Sequence, residues 1–488
     1  MMTTDSSLKQ KVLKGSLWLY VLQGFSIGLL IIQTVVLARL LAPEHFGIVG
    51  IYLIISAAIE SFTKTGFSKA LVQRKNIDSD FLDTAWTVSI IRGLILFTLL
   101  FLCSTIVVEF FNTPKALPVI RVLGFSILLQ GFYNPGTVYF SRDLDFFKQF
   151  LWKGGGVLAN FLTSIPLVFI LRNEWAIVWG MLASNIVVTV LSFSLNSYRP
   201  KLKFKYEVFK KLFTYSKWLL LSGIIAFFIK QGDKIFVTKL LGETLLGIYI
   251  IAWRFARIPQ LLTKPLPNAL FPAYSKFQDN PKALKEKYIE TLKVISLFYI
   301  PLVGGMIVLA RPFISIFLGE KWVAAVIPTQ ILTAAVGIGV LISISLSLFN
   351  ATGKTSFAFK TNLIGLLALS VLVYPLVNNY GVAGAALCFV SIALARLIVW
   401  KIEINKLIEF KITDLNCILV PVISTVITAV TIIYVGRWLD MNHPGLFIGI
   451  TASGVAFYLV VGWIIGKVTG FTFLDDVIKI YKNIKVQI

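Results

Sequence analysis

The stretch AFFIKQGDKIFVTKLLG, residues 226–242, sets Lys230, Asp233 and Lys234 inside an apolar run. Spacings of three and four place all three on one face of a helix. At the centre of a membrane each charge costs about 3 kcal/mol or more, so the face must meet protein or water. Asp233 can neutralise one lysine, and the other still carries its charge. The face is therefore expected to line a water-filled cavity. The next segment, IAWRFARIPQLLTKPLP, carries Arg254, Arg257 and Lys264 on a shared face, and Pro259, Pro265 and Pro267 predict a kinked helix. Earlier in the chain Glu60 and Lys64 form an i,i+4 pair. Two acids, Glu60 and Asp233, thus stand against six bases. Internal salt bridges alone would need more acids. A basic cavity selects an anion, and the arginine fork matches phosphate oxygens in pairs.

Other chemistry is sparse. His45 and His443 are the two histidines, and neither sits in a metal-binding spacing. Cys103, Cys388 and Cys417 lie singly in apolar segments and read as small packing residues. The GGG at 154–156 lacks a following Lys-Ser/Thr, and ATGKTSF at 351–357 lacks the leading glycine of a phosphate loop. No nucleophile, metal ligand set or resident cofactor is expected, and so no enzyme.

The elements that hold these residues must be membrane helices. The chain has 488 residues, 57% of them hydrophobic and 14% charged. Its mean hydropathy is +0.84. A soluble domain carries roughly 25% charged residues. Fourteen apolar runs are each near the roughly 20 residues a crossing helix needs: 16–40, 46–72, 84–108, 119–140, 151–171, 175–195, 216–241, 245–270, 291–310, 327–350, 361–377, 382–401, 415–436 and 445–467. Gly242–Thr244 is read as an outer loop, and 311–326 is the longest such loop. The first run comes after a basic N-terminus and is too long for a signal-peptide core. The formal net charge is +23. Lys and Arg crowd the N-terminus, the even-numbered loops and the C-terminus. That asymmetry puts both termini in the cytoplasm of a plasma-membrane protein and accounts for the charge without nucleic acid. Arg39, Lys69, Arg121, Lys239 and Arg396 lie near span ends and are expected to snorkel to water.

The chain also repeats itself. Ser16-Leu-Trp18-Leu19 matches Ser216-Lys-Trp218-Leu219. Arg39-Leu40-Leu41 and Gly47-Ile48 match Lys239-Leu240-Leu241 and Gly247-Ile248, and Lys64 matches Lys264, all offset by 200 residues. This predicts an all-α fold of two pseudo-repeated six-helix lobes, 1–200 and 201–410, with two further helices and a tail at 411–488. Six is even, so the lobes share an orientation about an axis along the membrane normal. Two such lobes with a site between them are a transporter architecture.

Several segments carry a family resemblance: LARLLAPEHFGIVGIY, QGDKIFVTKLLGETLLGIYIIAWRFARIP, ALFPAYSKFQDNP, IFLGEKWVAAVIPTQIL, NATGKTS and YGVAGAAL. As a set they resemble the polysaccharide-exporter branch of the multidrug/oligosaccharidyl-lipid/polysaccharide flippase superfamily, over about residues 10–410. The resemblance implies a V-shaped fold with alternating access. It implies a polyprenyl-diphosphate-linked oligosaccharide as cargo, moved from inner to outer leaflet for cell-surface polysaccharide such as lipopolysaccharide. A polysaccharide polymerase and glycosyltransferases would be partners. The diphosphate would sit among Lys230, Lys234, Arg254 and Arg257, with Lys64 and Lys264 in the same cationic cavity. Glu60 and Asp233 would be the candidates for H⁺ or Na⁺ coupling. A multidrug antiporter on this fold would want more buried acids than bases. A murein-precursor flippase shares the fold, and the sequence does not separate it.

Overall fold

The computed structural model describes residues 2–63, 79–263, 266–439 and 443–469. Every long element among them is a helix. In order they are α1 (Met2–Leu40), α2 (Pro43–Phe62), α3 (Ser79–Phe111), α4 (Ala116–Gly131), α5 (Val138–Arg142), α6 (Phe146–Leu171), α7 (Trp175–Ser194) and α8 (Tyr206–Ala256). Next come α9 (Ile258–Thr263), α10 (Leu266–Ser275), α11 (Pro281–Val308), α12 (Ala310–Phe313), α13 (Val326–Ala351), α14 (Ser356–Ile408), α15 (Asn416–Trp438) and α16 (Pro444–Thr469). Among the described residues, 11 helices are long and apolar enough to cross a membrane, or up to 12 if one bent pair counts as a span. Their outer faces are greasy: Ile170, Leu102 and Val371 are each at least 70% exposed. On a water-soluble protein such faces would aggregate.

Two of these helices are hairpins. In α8, Gly242 has φ 82° and ψ 178°, outside any helical region. Tyr249 donates a hydrogen bond to Asp233 across it, at 2.7 Å. Sixteen residues of straight helix would span about 24 Å, so the chain doubles back at Gly242. In α14, Gly381 has φ 56° and ψ −135°. Lys360 meets Glu403 at 2.9 Å and Arg396 Nε donates to the Thr361 carbonyl at 3.1 Å. Thirty-five residues of helix would separate the latter pair by about 52 Å, so this chain also reverses.

The run at 119–140 departs from the expected single span. It breaks into α4 and a segment Pro135–Arg142, bent by 69°. Asn134 precedes a proline, which disfavours helical backbone, and it adopts φ −62°, ψ 120°. Its side chain then accepts from Gly136 N at 2.8 Å and donates to the Tyr198 carbonyl at 2.8 Å, which pins the break. The kink expected from Pro259 appears as an interruption between α8 and α9 at Arg257.

Packing divides the chain into two compact units, Met1–Ile250 and Ile251–Ile488. The boundary falls late in α8, so residues 206–250 belong with the first 200 residues of the chain. Within the first unit Phe62 meets Phe227 edge-on at 5.0 Å. In the second, a core cluster gathers Tyr274, Tyr288, Leu348, Phe357, Trp400 and Phe410. Ser345 sits inside it, with its Oγ 2.6 Å from both the Tyr288 hydroxyl and Trp400 Nε1.

Candidate functional site

The first arm of α8 gives Lys230, Asp233 and Lys234 different surroundings. Lys230 is exposed. Asp233 is fully buried and Lys234 is 8% exposed. Asp233 is buried because the reversal at Gly242 lays the second arm of α8 against it. Tyr249 binds one carboxylate oxygen, and Lys234 Nζ lies 3.7 Å from the other. Lys234 Nζ also donates to the Lys230 carbonyl at 2.8 Å, and Thr238 donates to the Lys234 carbonyl at 2.6 Å. In hydrocarbon such a pair offsets its own charge, and removing one member of a buried pair costs about 3–5 kcal/mol.

The second unit holds the arginines. Arg254 is partly buried and Arg257 exposed. They stand close enough for their like charges to repel. The Arg257 guanidinium lies 5.4 Å above the Trp253 ring, and Trp253 packs edge-on against Phe389 at 4.6 Å. Two neighbouring guanidinium groups, one of them stacked on an aromatic ring, are suited to an anion that bridges them.

The remaining expected residues divide in the same way. Glu60 is exposed at the end of α2. Lys64 and Lys264 lie outside the described residues, as does Lys69. The structure therefore brings Asp233 together with Lys234, and Arg254 together with Arg257. Of the four expected cations that are described, Lys230 and Lys234 belong to the first compact unit, and Arg254 and Arg257 to the second.

Further residues join the polar interior. Arg92 on α3 donates from Nε to Thr63 Oγ1 at 3.1 Å and feels the charge of Glu60. Gln33 donates to Asn160 Oδ1 at 3.0 Å and to Ser164 Oγ at 2.7 Å. Gln33 and Thr34 are 200 residues before Asp233 and Lys234, and both are buried. The repeat offset is the signal that points to them. Tyr249 has a signal too: a turn at Gly242 makes residues 233 and 249 face each other. Two of the cations expected to snorkel, Arg121 and Arg396, are half-buried and bond within the protein, whereas Lys239 is exposed and also finds a protein partner. Arg121 reaches Ser104 Oγ at 3.1 Å, Lys239 the Phe110 carbonyl at 2.6 Å, and Arg396 the Thr361 carbonyl.

An apolar cleft of about 880 Å³ lies between α4, α6 and α7, lined by Phe125, Phe132, Leu167, Trp179 and Ile186 among others. It offers no charge to a polar head group.

Comparison with known proteins bears on family and fold. The sequence profile of the family described as "Polysaccharide biosynthesis protein" matches residues 36–327. The chain is 26% identical to the lipopolysaccharide biosynthesis protein WzxC of Escherichia coli K12, over 73% of each chain. It is 24% identical to the teichuronic acid biosynthesis protein TuaB of Bacillus subtilis 168, over 78% of this chain and 79% of the relative. Among solved structures, the lipid II flippase MurJ in an inward closed conformation superposes with a TM-score of 0.75 at 15% identity, covering 93% of this chain and 99% of that one. That likeness is one of fold.

Proposed function

Because the chain belongs to the polysaccharide biosynthesis protein family, we propose that it is a flippase for an anionic, polyprenyl-diphosphate-linked oligosaccharide. It carries the lipid from the inner to the outer leaflet by alternating access, for cell-surface polysaccharide. The observation that carries this reading is the cationic set on membrane helices: Lys230 and Arg257 exposed, Arg257 stacked on Trp253, and Arg254 near Arg257. A lipid-anchored diphosphate is the anion that reaches such depth, since its tail remains in the bilayer while its head seeks charge. The names of WzxC and TuaB place those relatives in polysaccharide synthesis.

Within the same proposal, the reversals at Gly242 and Gly381 support counting α8 and α14 as two crossings each. With the bent pair as one span, that gives fourteen crossings in two six-helix lobes plus two helices. An even number of crossings and the distribution of basic residues support a reading with both termini in the cytoplasm. Lys230, Arg254 and Arg257 are the candidate diphosphate ligands, and Lys64 and Lys264, outside the described residues, are kept as further candidates from the sequence. Lys234 serves chiefly to hold Asp233. Glu60 and Asp233 are the groups through which H⁺ or Na⁺ would couple. The polymerase and glycosyltransferases that make and consume such a lipid are its functional partners.

The test is translocation in proteoliposomes of a fluorescent polyprenyl-diphosphate oligosaccharide, with a cationic dye as control. The parent should move the lipid and leave the dye. Arg254→Gln/Arg257→Gln should lower lipid transport at least about tenfold, the loss of roughly 1.4 kcal/mol or more of charge-assisted binding. Movement of the dye without the lipid would overturn the proposal.

A further inference from the structure

The segment KLKFKY, residues 201–206, joins the two repeats and alternates basic with apolar residues. It is not helical until Tyr206, where α8 begins. Every second amide of it bonds a side chain of α3. Lys201 N donates to Asp83 Oδ1 at 2.9 Å, Lys203 N to Thr87 Oγ1 at 3.0 Å, and Lys205 N to Thr84 Oγ1 at 3.2 Å. This is the pattern of extended backbone, in which successive side chains leave on opposite sides. Lys203 and Lys205 fall on one side, where both ammonium groups bond Asp80. Leu202, Phe204 and Tyr206 leave on the other, and they are 73%, 51% and 63% exposed.

The strap is fixed at both ends. Before it, Tyr198 donates to Asp83 Oδ1 at 2.6 Å, and Asn134 donates to the Tyr198 carbonyl. After it, Val208 is buried in a small core with Phe81, Leu82, Ala85 and Val138. All of these residues lie in the first compact unit. The stitched backbone therefore holds three apolar side chains outward. Their depth follows from the strap's partners. Thr84 and Thr87 open the apolar run 84–108, so the strap lies at the edge of the hydrocarbon. Trp86, between them in the chain, is of the type that gathers at that boundary.

We propose that this strap is a binding surface for the anionic phospholipid head groups of the inner leaflet. The inference rests on the basic residues marking the inner side of the membrane, and it does not depend on the cargo. Leu202, Phe204 and Tyr206 sink to the boundary between head groups and acyl chains, as the apolar face of an interfacial element does. The bases supply the attraction. Arg199, Lys201, Lys203, Lys205 and Lys210 stand against Glu207 and the α3 acids Asp80 and Asp83, five bases against three acids. Anionic lipid is thus favoured over neutral lipid at this surface, and salt weakens the preference.

The test uses the full chain with Cys103, Cys388 and Cys417 replaced by alanine and one new cysteine carrying a fluorophore. Leu202→Cys and Phe204→Cys report on the apolar side, and Lys201→Cys on the opposite one. Each is placed in nanodiscs of phosphatidylcholine, alone or mixed with phosphatidylglycerol, with a lipid-borne quencher at head-group depth. With phosphatidylglycerol present, the labels at 202 and 204 should be quenched several-fold more than the label at 201. Omitting phosphatidylglycerol should lower that quenching. So should adding Lys201→Glu to Leu202→Cys, a change that leaves the Asp80 pairs in place. Equal quenching at all three positions overturns the proposal, as does quenching that ignores phosphatidylglycerol. Labels that lipid never quenches but that a soluble protein fraction shields would make the strap a protein-docking site instead. None of these readings requires transport, so failure of the flippase reading and failure of this one are separate results.

Discussion

At the residue scale the informative contrast is between Lys230 and Lys234, four positions apart on one helix. Their spacing predicts that both meet an anion. Only Lys230 is exposed, because the returning arm of α8 covers Lys234 together with Asp233. The Tyr249 hydroxyl donates to that fully buried carboxylate. Tyr249→Phe should therefore lower stability by about 1–3 kcal/mol, the cost of leaving a buried acceptor short of a donor. Thermal unfolding of the detergent-solubilised protein checks this, and an unchanged Tm would mean that the bond contributes nothing. The charges themselves are legible from their letters and spacing. Their division into held and available groups is not, since it depends on a tyrosine sixteen residues away.

At the element scale the fold turns on a few backbone positions. Gly242, with φ 82° and ψ 178°, occupies a region essentially restricted to glycine. A Cβ there would meet nothing within 4 Å, so Gly242→Ala isolates strain from clash. It should cost about 1–3 kcal/mol. Gly305, in the interior of α11, also has open space around a Cβ. Gly305→Ala should be neutral or stabilising by about 0.5–1 kcal/mol. Paired thermal unfolding of the two variants checks the difference, and equal shifts would remove the case for a strained reversal. The sequence anticipates both reversals as short loops, because glycine and loss of hydropathy are local signals. It does not show the break at Asn134-Pro135, where apolar residues continue on both sides. It also sends Arg121 and Arg396 to water, although Ser104 and the Thr361 carbonyl receive them inside the protein.

At the scale of the whole molecule, the proposed cargo carries about two negative charges outward across an inside-negative membrane. Each charge gains about 2.3 kcal/mol per 100 mV, so the potential alone supplies about 5 kcal/mol. Imposing a potassium diffusion potential on proteoliposomes should then shift the equilibrium distribution of the lipid toward the outer leaflet by orders of magnitude. A distribution that ignores the potential but tracks a proton or sodium gradient would assign the coupling to Glu60 or Asp233 instead. The packing division at Ile250 bears on the same motion. The first hairpin of the second repeat, residues 206–250, packs on α2 of the first repeat through Gly47, Ser61 and Phe62. The repeat boundary and the packing boundary are therefore different places in the chain.

The amino-acid sequence by itself determined that this is an all-helical membrane protein with an internal repeat and a surplus of base within its apolar segments. Those properties come from hydropathy, spacing and glycine positions, each readable in a window of a few tens of residues. The tertiary structure decided which charges are held and which are exposed, and where the two repeats touch. Those outcomes depend on chain reversals that bring residues 233 and 249, or 47 and 243, into contact. No local window contains both members of the second pair, and only packing sets the distance between members of either.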